Sequence, residues 1–152
     1  DMPPGTGDTQ LTMSQRVPLA GAVIVSTPQD IALLDARKGL NMFRKVEVPI
    51  LGVIENMSYY VCPKCGQRED IFDHGGAHRT ADELGAEFLG EIPLDLKIRL
   101  TSDAGTPIVV SDPDSAHAKA YMAIAEKIWA KLTGTQRKQA PKISLKGLFG
   151  LG

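Results

Sequence analysis

Apolar residues in this chain fall into short unbroken runs separated by stretches of helical periodicity. Ala22 to Ser26 (Ala-Val-Ile-Val-Ser) is β-branched and does not alternate with polar residues, as expected of a strand buried on both faces. Thr27-Pro28-Gln29-Asp30 follows with a helix-start signature: a capping candidate, proline at the first helical position and early acid. Ile31, Leu33, Leu34, Leu40, Met42 and Phe43 continue a helical pattern to about Val46. Pro49 to Ile54 repeats the apolar strand pattern, so residues 22 to 54 form one βαβ unit with parallel strands. Tyr59 to Phe72 is expected to form a small hairpin or loop. Beyond it the pattern predicts a helix over Gly75 to Leu84, a third strand over Glu87 to Ile92, a short helix over Leu94 to Ala104 and a long one over Asp114 to Leu132. Another helix is expected to start near Asp8.

Parallel strands alternating with helices imply an α/β, doubly wound, mainly parallel sheet, with a small Cys-x-x-Cys loop insertion. Ligands of such sheets sit beyond the carboxyl ends of the strands, where Thr27-Pro28, Asn56 and Pro93 would converge. The expected organisation is one domain over residues 1–133 and a flexible basic tail over 134–152, rich in Lys, Arg, Gln and Pro.

Composition narrows the possibilities. The 152 residues are 43% hydrophobic, enough apolar content for one domain with its own core. A net charge of −1 argues against a nucleic-acid surface. No apolar run approaches the roughly 20 residues of a membrane span, so no stable membrane insertion is expected, and with no secretory leader apparent the expected compartment is the cytoplasm, or the mitochondrial matrix in a eukaryote. The opening Asp1-Met2-Pro3-Pro4-Gly5-Thr6-Gly7-Asp8 enters a loop with nothing before it to support it, and reads as the C-terminal part of something longer.

The chemistry concentrates in two places. Cys62-Pro63-Lys64-Cys65 contains the only two cysteines; at this spacing two thiolates grip one metal or one cluster edge and leave a tetrahedral site half filled. A second copy of the pair could complete it. His74 and His78 could complete it instead, giving Cys-x2-Cys-x8-His-x3-His, a zinc-stabilised, non-enzymatic interaction module using Cys62, Cys65, His74 and His78. A redox dithiol is a further alternative, although such motifs normally open a helix. At the start, Asp1 precedes a Pro- and Gly-rich loop, an arrangement that can hold magnesium and approach phosphate closely. A plain turn leading into the helix near Asp8 is the rival reading. The phosphate-binding motif G-x-x-x-x-G-K-[ST] does not occur in the chain, so autonomous ATP hydrolysis is not expected of these 152 residues.

Taken together, the opening segment through Gln10-Leu-Thr, Ser26-Thr-Pro-Gln-Asp, Asp35-Ala-Arg-Lys-Gly, Gly52-Val-Ile-Glu-Asn-Met-Ser, Cys62-Pro-Lys-Cys and Gly90-Glu-Ile-Pro-Leu resemble the C-terminal part of the Mrp/ApbC-type P-loop ATPases, a family of iron-sulfur cluster carriers, from Asp1 to about Leu132. The resemblance implies that Asp1 is the Walker B aspartate that helps hold Mg2+. Pro3 to Asp8, including Gly5, Thr6 and Gly7, would sense the γ-phosphate of ATP, Asn56 would read the adenine, and Pro93 would flank the base. It further implies that Cys62 and Cys65, with the same pair from a second subunit of a homodimer, hold a bridging 4Fe-4S cluster destined for apo iron-sulfur proteins. The family's phosphate-binding loop is absent here.

Overall fold

The computed structural model describes residues 8–135; Asp1 to Gly7 and the basic tail lie outside the described residues. Ten elements follow in order: α1 (Asp8–Arg16), β1 (Ala22–Ser26), α2 (Asp30–Lys45), β2 (Ile50–Val61), β3 (Arg68–Glu69), α3 (Gly76–Glu83), β4 (Phe88–Leu94), α4 (Leu96–Asp103), α5 (Ile108–Ser111) and α6 (Ala116–Thr135). α6 runs through Gly134, past the domain boundary expected at residue 133.

β2 is the central strand. β1 pairs with it in parallel from Ala22↔Ile50 to Ser26↔Glu55, and β4 pairs with it in parallel from Val53↔Phe88 to Tyr60↔Leu94. The two-residue β3 returns antiparallel to its far end. The βαβ unit and its parallel strands are therefore present as the sequence predicts.

Both faces of the sheet are covered, which is why the strands read as unbroken apolar runs. Ala22, Ile24 and Val53 turn to one face, where Leu33, Leu40, Met42 and Phe43 of α2 meet Ala77 and Ala81 of α3. Val23 and Ile54 turn to the other, where Leu89 and Ile92 of β4 meet Tyr121, Ile124 and Ile128 of α6. Val53, Leu40 and Leu89 are each about 1% exposed, and burying a side chain of this kind contributes about 1.5–3 kcal/mol.

Two features differ from the expected pattern. β2 does not stop near Ile54 but continues to Val61, because a bulge with Met57 in the left-handed region (φ 54°) carries the strand past the polar Glu-Asn-Met-Ser stretch. The single turn α5, in the gap between the two C-terminal helices of the sequence reading, buries Ile108.

β1 pairs with a neighbour along one side only among the described residues. Its other edge borders an open cleft of about 740 Å3 between α1 and α2, lined by Gln10, Met13, Ala22, Ile24, Ala36 and Phe43, and Val25 of this strand is 57% exposed.

One close approach sets the position of α3. A Cβ added to Gly76 would lie 2.6 Å from the carbonyl oxygen of Pro28 and 2.8 Å from Leu33 Cδ1. Gly76→Ala is expected to lower unfolding free energy in urea by about 2 kcal/mol, since the backbone of Pro28 cannot yield as a flexible side chain would; unchanged stability would show that α3 can shift outward.

Candidate functional site

The sheet register brings the expected ligand-facing positions to one edge. Ser26 stands beside Glu55 and Asn56 beside Ile92, so Thr27-Pro28, Asn56 and Pro93 lie within about one residue of a common line across β1, β2 and β4. Pro28 and Pro93 are buried, and Asn56 is half-buried. Asp8 is the exposed first residue of α1. Asp1, Gly5, Thr6 and Gly7, expected at the magnesium and phosphate end, fall outside the described residues.

Beyond Asn56, β2 carries the chain out of the parallel sheet and into the hairpin that holds the cysteines. Tyr60 pairs with Glu69 and Val61 with Arg68, leaving Cys62 to Gln67 as the turn. The Cys62 N–H donates to the Gln67 carbonyl at 2.9 Å and the Gly66 N–H to the Cys62 carbonyl at 2.8 Å. Pro63 fixes φ at the turn's start and Gly66 takes the left-handed conformation (φ 74°) that closes it. The result is a tight knuckle with both thiols free, Cys62 half-buried and Cys65 exposed.

Inside the knuckle the backbone N–H of Lys64, then that of Cys65, and then the Cys65 thiol all direct hydrogen bonds at the Cys62 sulfur, holding its pKa below the ordinary thiol value. Donors aimed at sulfur stabilise negative charge there, the form that binds metal. No helix begins at the pair, as a redox dithiol would normally require. One sulfur prepared to carry negative charge and a second thiol beside it, both at the tip of the turn, are two of the sulfur ligands that a metal or cluster site needs.

The zinc alternative does not assemble. His78 lies on α3, where its ring stacks on Phe88 with centroids 4.5 Å apart and its Nε2 faces Asp82 at 3.8 Å. His74 turns toward Glu55 and Glu91. Among the described residues, no group of three or more His, Cys, Asp and Glu ligand atoms within reach of one ion includes a cysteine. The intervening hairpin strand and the start of α3 hold the histidines away from the knuckle, a separation that spacing alone does not reveal.

The sequence reading also passed over a fully buried carboxylate. Glu55 is fully buried, and its carboxylate accepts hydrogen bonds from Ser58 Oγ (2.6 Å) and the Gly75 N–H (3.0 Å) at Oε1, and from the Ala77 N–H (2.8 Å) at Oε2. α3 has no side-chain cap of its own, because Gly75 stands at its N-cap. Glu55 does that work from β2, with the helix dipole favouring its charge. The available signal was an acid interrupting the apolar run Gly-Val-Ile in a strand flanked on both sides. At the other end of the site, His117 has its Nε2 3.3 Å from Asp95, whose Oδ1 accepts from the Lys97 N–H and caps α4.

Glu55, His74 and Glu91 bring three ligand-type atoms close together. The oxygens of Glu55 are already engaged, and the guanidinium of Arg68 reaches His74 Nδ1 at 3.0 Å and Glu91 Oε2 at 4.0 Å. The cation of this cluster is the protein's own arginine.

With this geometry in hand, comparison with known proteins is specific. Residues 1–129 match the model of the ParA family described as NUBPL iron-transfer P-loop NTPase. The iron-sulfur cluster transfer protein NUBPL of Dictyostelium discoideum is 59% identical over 132 residues, covering 87% of this chain and 41% of that protein. An iron-sulfur cluster carrier protein of Escherichia coli is 52% identical over the same length and is covered to 36%, and an iron-sulfur protein required for mitochondrial NADH dehydrogenase in Arabidopsis thaliana is 51% identical over 146 residues and is covered to 47%. The chain thus spans less than half the length of these relatives. Among solved structures, a nucleotide-binding protein from Archaeoglobus fulgidus in complex with ADP superposes with a TM-score of 0.63 at 39% identity, covering 75% of this chain and 46% of that one. MinD from Pyrococcus horikoshii with Mg-ADP gives 0.60 at 28% identity, covering 79% and 45%.

Removing the buried carboxylate tests the frame that holds the site. Glu55→Ala leaves the Gly75 and Ala77 amides and the Ser58 hydroxyl without their acceptor, and is expected to lower stability by about 3 kcal/mol. Glu55→Gln, which keeps one acceptor oxygen, is expected to recover part of this in urea denaturation; a neutral Glu55→Ala would contradict the capping role.

Proposed function

The chain belongs to the NUBPL-type family of iron-transfer P-loop NTPases, and from that premise we propose that it is the cluster-holding part of an iron-sulfur carrier. In this reading Cys62 and Cys65 bind one edge of a 4Fe-4S cluster, and the same two residues of a second copy bind the opposite edge across a two-fold axis. Two thiolates per chain then make the four that such a cluster takes. The cluster is cargo. Delivery exchanges these thiolates for the ligands of an apo iron-sulfur protein, so iron–sulfur bonds break and form with no net electron transfer. The observation that carries the proposal is the exposed knuckle, whose backbone N–H groups preorganise Cys62 as a thiolate in a chain with this family match.

ATP and Mg2+ act in the complete protein. The proposed nucleotide contacts from this chain are Asp1 for magnesium, Gly5, Thr6, Gly7 and Asp8 at the γ-phosphate, Asn56 at the adenine and Pro93 beside the base. The placement of Asn56 next to Ile92 and Pro93 at the carboxyl edge supports the last two, and the likeness to structures that hold ADP supports nucleotide binding by the complete protein. For localisation, no described helix is long and apolar enough to cross a membrane. The mitochondrial relative in Arabidopsis supports the matrix if the chain is eukaryotic.

Anaerobic reconstitution of the full chain with iron and sulfide is expected to give about four irons per dimer and a brown chromophore. Cys62→Ala should abolish both. Retention of iron by Cys62→Ala, or a stoichiometric zinc monomer under the same conditions, would contradict the proposal.

A further inference from the structure

The cysteine hairpin is attached to the sheet by little backbone. β3 has two residues and two paired positions, and an isolated ribbon of this size is not stable in water. Something further must fix the knuckle. The side chain placed to do so is Arg68, which stands on β3 directly across from Val61, the residue before Cys62.

Its guanidinium meets side chains from two strands and two points of the connecting segment between β3 and α3. The Arg68 guanidinium carbon lies 4.1 Å over the centre of the Tyr59 ring on β2. Nε is 3.2 Å from Asp70, in the segment after β3. One terminal nitrogen reaches His74 Nδ1, just before α3, and comes within 4.0 Å of Glu91 on β4. His74 Nδ1 also lies 3.3 Å from Ser58 Oγ, but that hydroxyl gives its one proton to Glu55 and the Nδ1 lone pair accepts from Arg68, so this is close packing against the Glu55 site and the hydrogen bond to Nδ1 is the arginine's. Glu55, His74 and Glu91 form a polar cluster, and the guanidinium stands against its His74 and Glu91 members. A planar group that stacks on a ring and donates at its edges at once suits this position, and a lysine ammonium does not.

We propose that Arg68 is a positioning residue for the thiolates: it latches the cysteine hairpin to the carboxyl edge of the sheet and so fixes the pose in which Cys62 and Cys65 meet their cargo. The proposal rests on the cluster-holding reading for its purpose, while the latch itself is a property of the metal-free chain. Ion pairs this exposed are individually weak, and it is their convergence with the ring contact on one group that holds the hairpin.

Amide hydrogen exchange in the metal-free full chain tests it. Arg68→Gln is expected to speed exchange at residues 62–67 by roughly tenfold, with the amides of β1 and α2 unchanged. Arg68→Lys should fall between the two, and Glu91→Gln should reproduce part of the effect. The double variant Arg68→Gln/Glu91→Gln should exchange no faster than Arg68→Gln, because both changes open one latch. In the reconstituted protein, Arg68→Gln should keep its iron content and lose it to a chelator several-fold faster. Unchanged exchange at the knuckle, acceleration spread across the whole chain, or additive effects of the two substitutions would overturn the proposal. If the chain binds no cluster at all, the cluster reading fails, and the exchange measurement still decides the latch.

Discussion

A single buried carboxylate organises the functional end of this molecule. Glu55 sits on the central strand with no exposed surface, and a charge in that position persists only if its hydrogen-bonding capacity is filled. Two amides from the start of α3 and the hydroxyl of Ser58 fill it. That one requirement fixes where α3 begins relative to β2 and shapes the strand around the Met57 bulge. It also sets the position of His74, from which the cysteine hairpin is secured. The neighbouring residue, Asn56, is carried to the same edge by the same strand.

This arrangement gives β2 two tasks. Its first half is an ordinary buried parallel strand, held by apolar packing on both faces. Its second half leaves the protection of β1 and carries the cysteine knuckle outward, still paired to β4 at Tyr60. Asn56, proposed to face the nucleotide, and Cys62, proposed to face the cluster, are therefore a few positions apart, on β2 and just beyond its end. The thiols lie at the tip of the turn, where a second copy of the chain or a recipient protein can reach them, and the backbone donors at Cys62 favour the thiolate form of that sulfur.

Much of this was legible in the sequence because burial leaves a pattern. The runs Ala22–Ser26 and Pro49–Ile54, the periodic stretch between them and the helical stripe of Tyr121, Ile124 and Ile128 each predict an element that is present, since packing on two faces demands those residues. The knuckle was legible too, as Pro63 and Gly66 are dictated by local backbone geometry. What escaped was held by long-range polar contacts. Glu55 to Ala77 spans 22 positions and Arg68 to Glu91 spans 23, and no local periodicity marks such partners. The end of β2 was misplaced for a related reason: Glu-Asn-Met-Ser looks like a terminus until pairing with β4 resumes beyond it. The zinc alternative rested on spacing, and failed because His78 packs on Phe88 and His74 belongs to the Glu55 network.

The central claim is that the two cysteines of one chain are half of a site completed by the same two cysteines of another. Native mass spectrometry of the anaerobically reconstituted full chain tests this most directly. The account predicts a dimer carrying a single 4Fe-4S mass that falls apart into bare monomers when the iron is chelated. A cluster or metal ion retained on a monomer, or a dimer whose mass and stability are the same with and without iron, would contradict it.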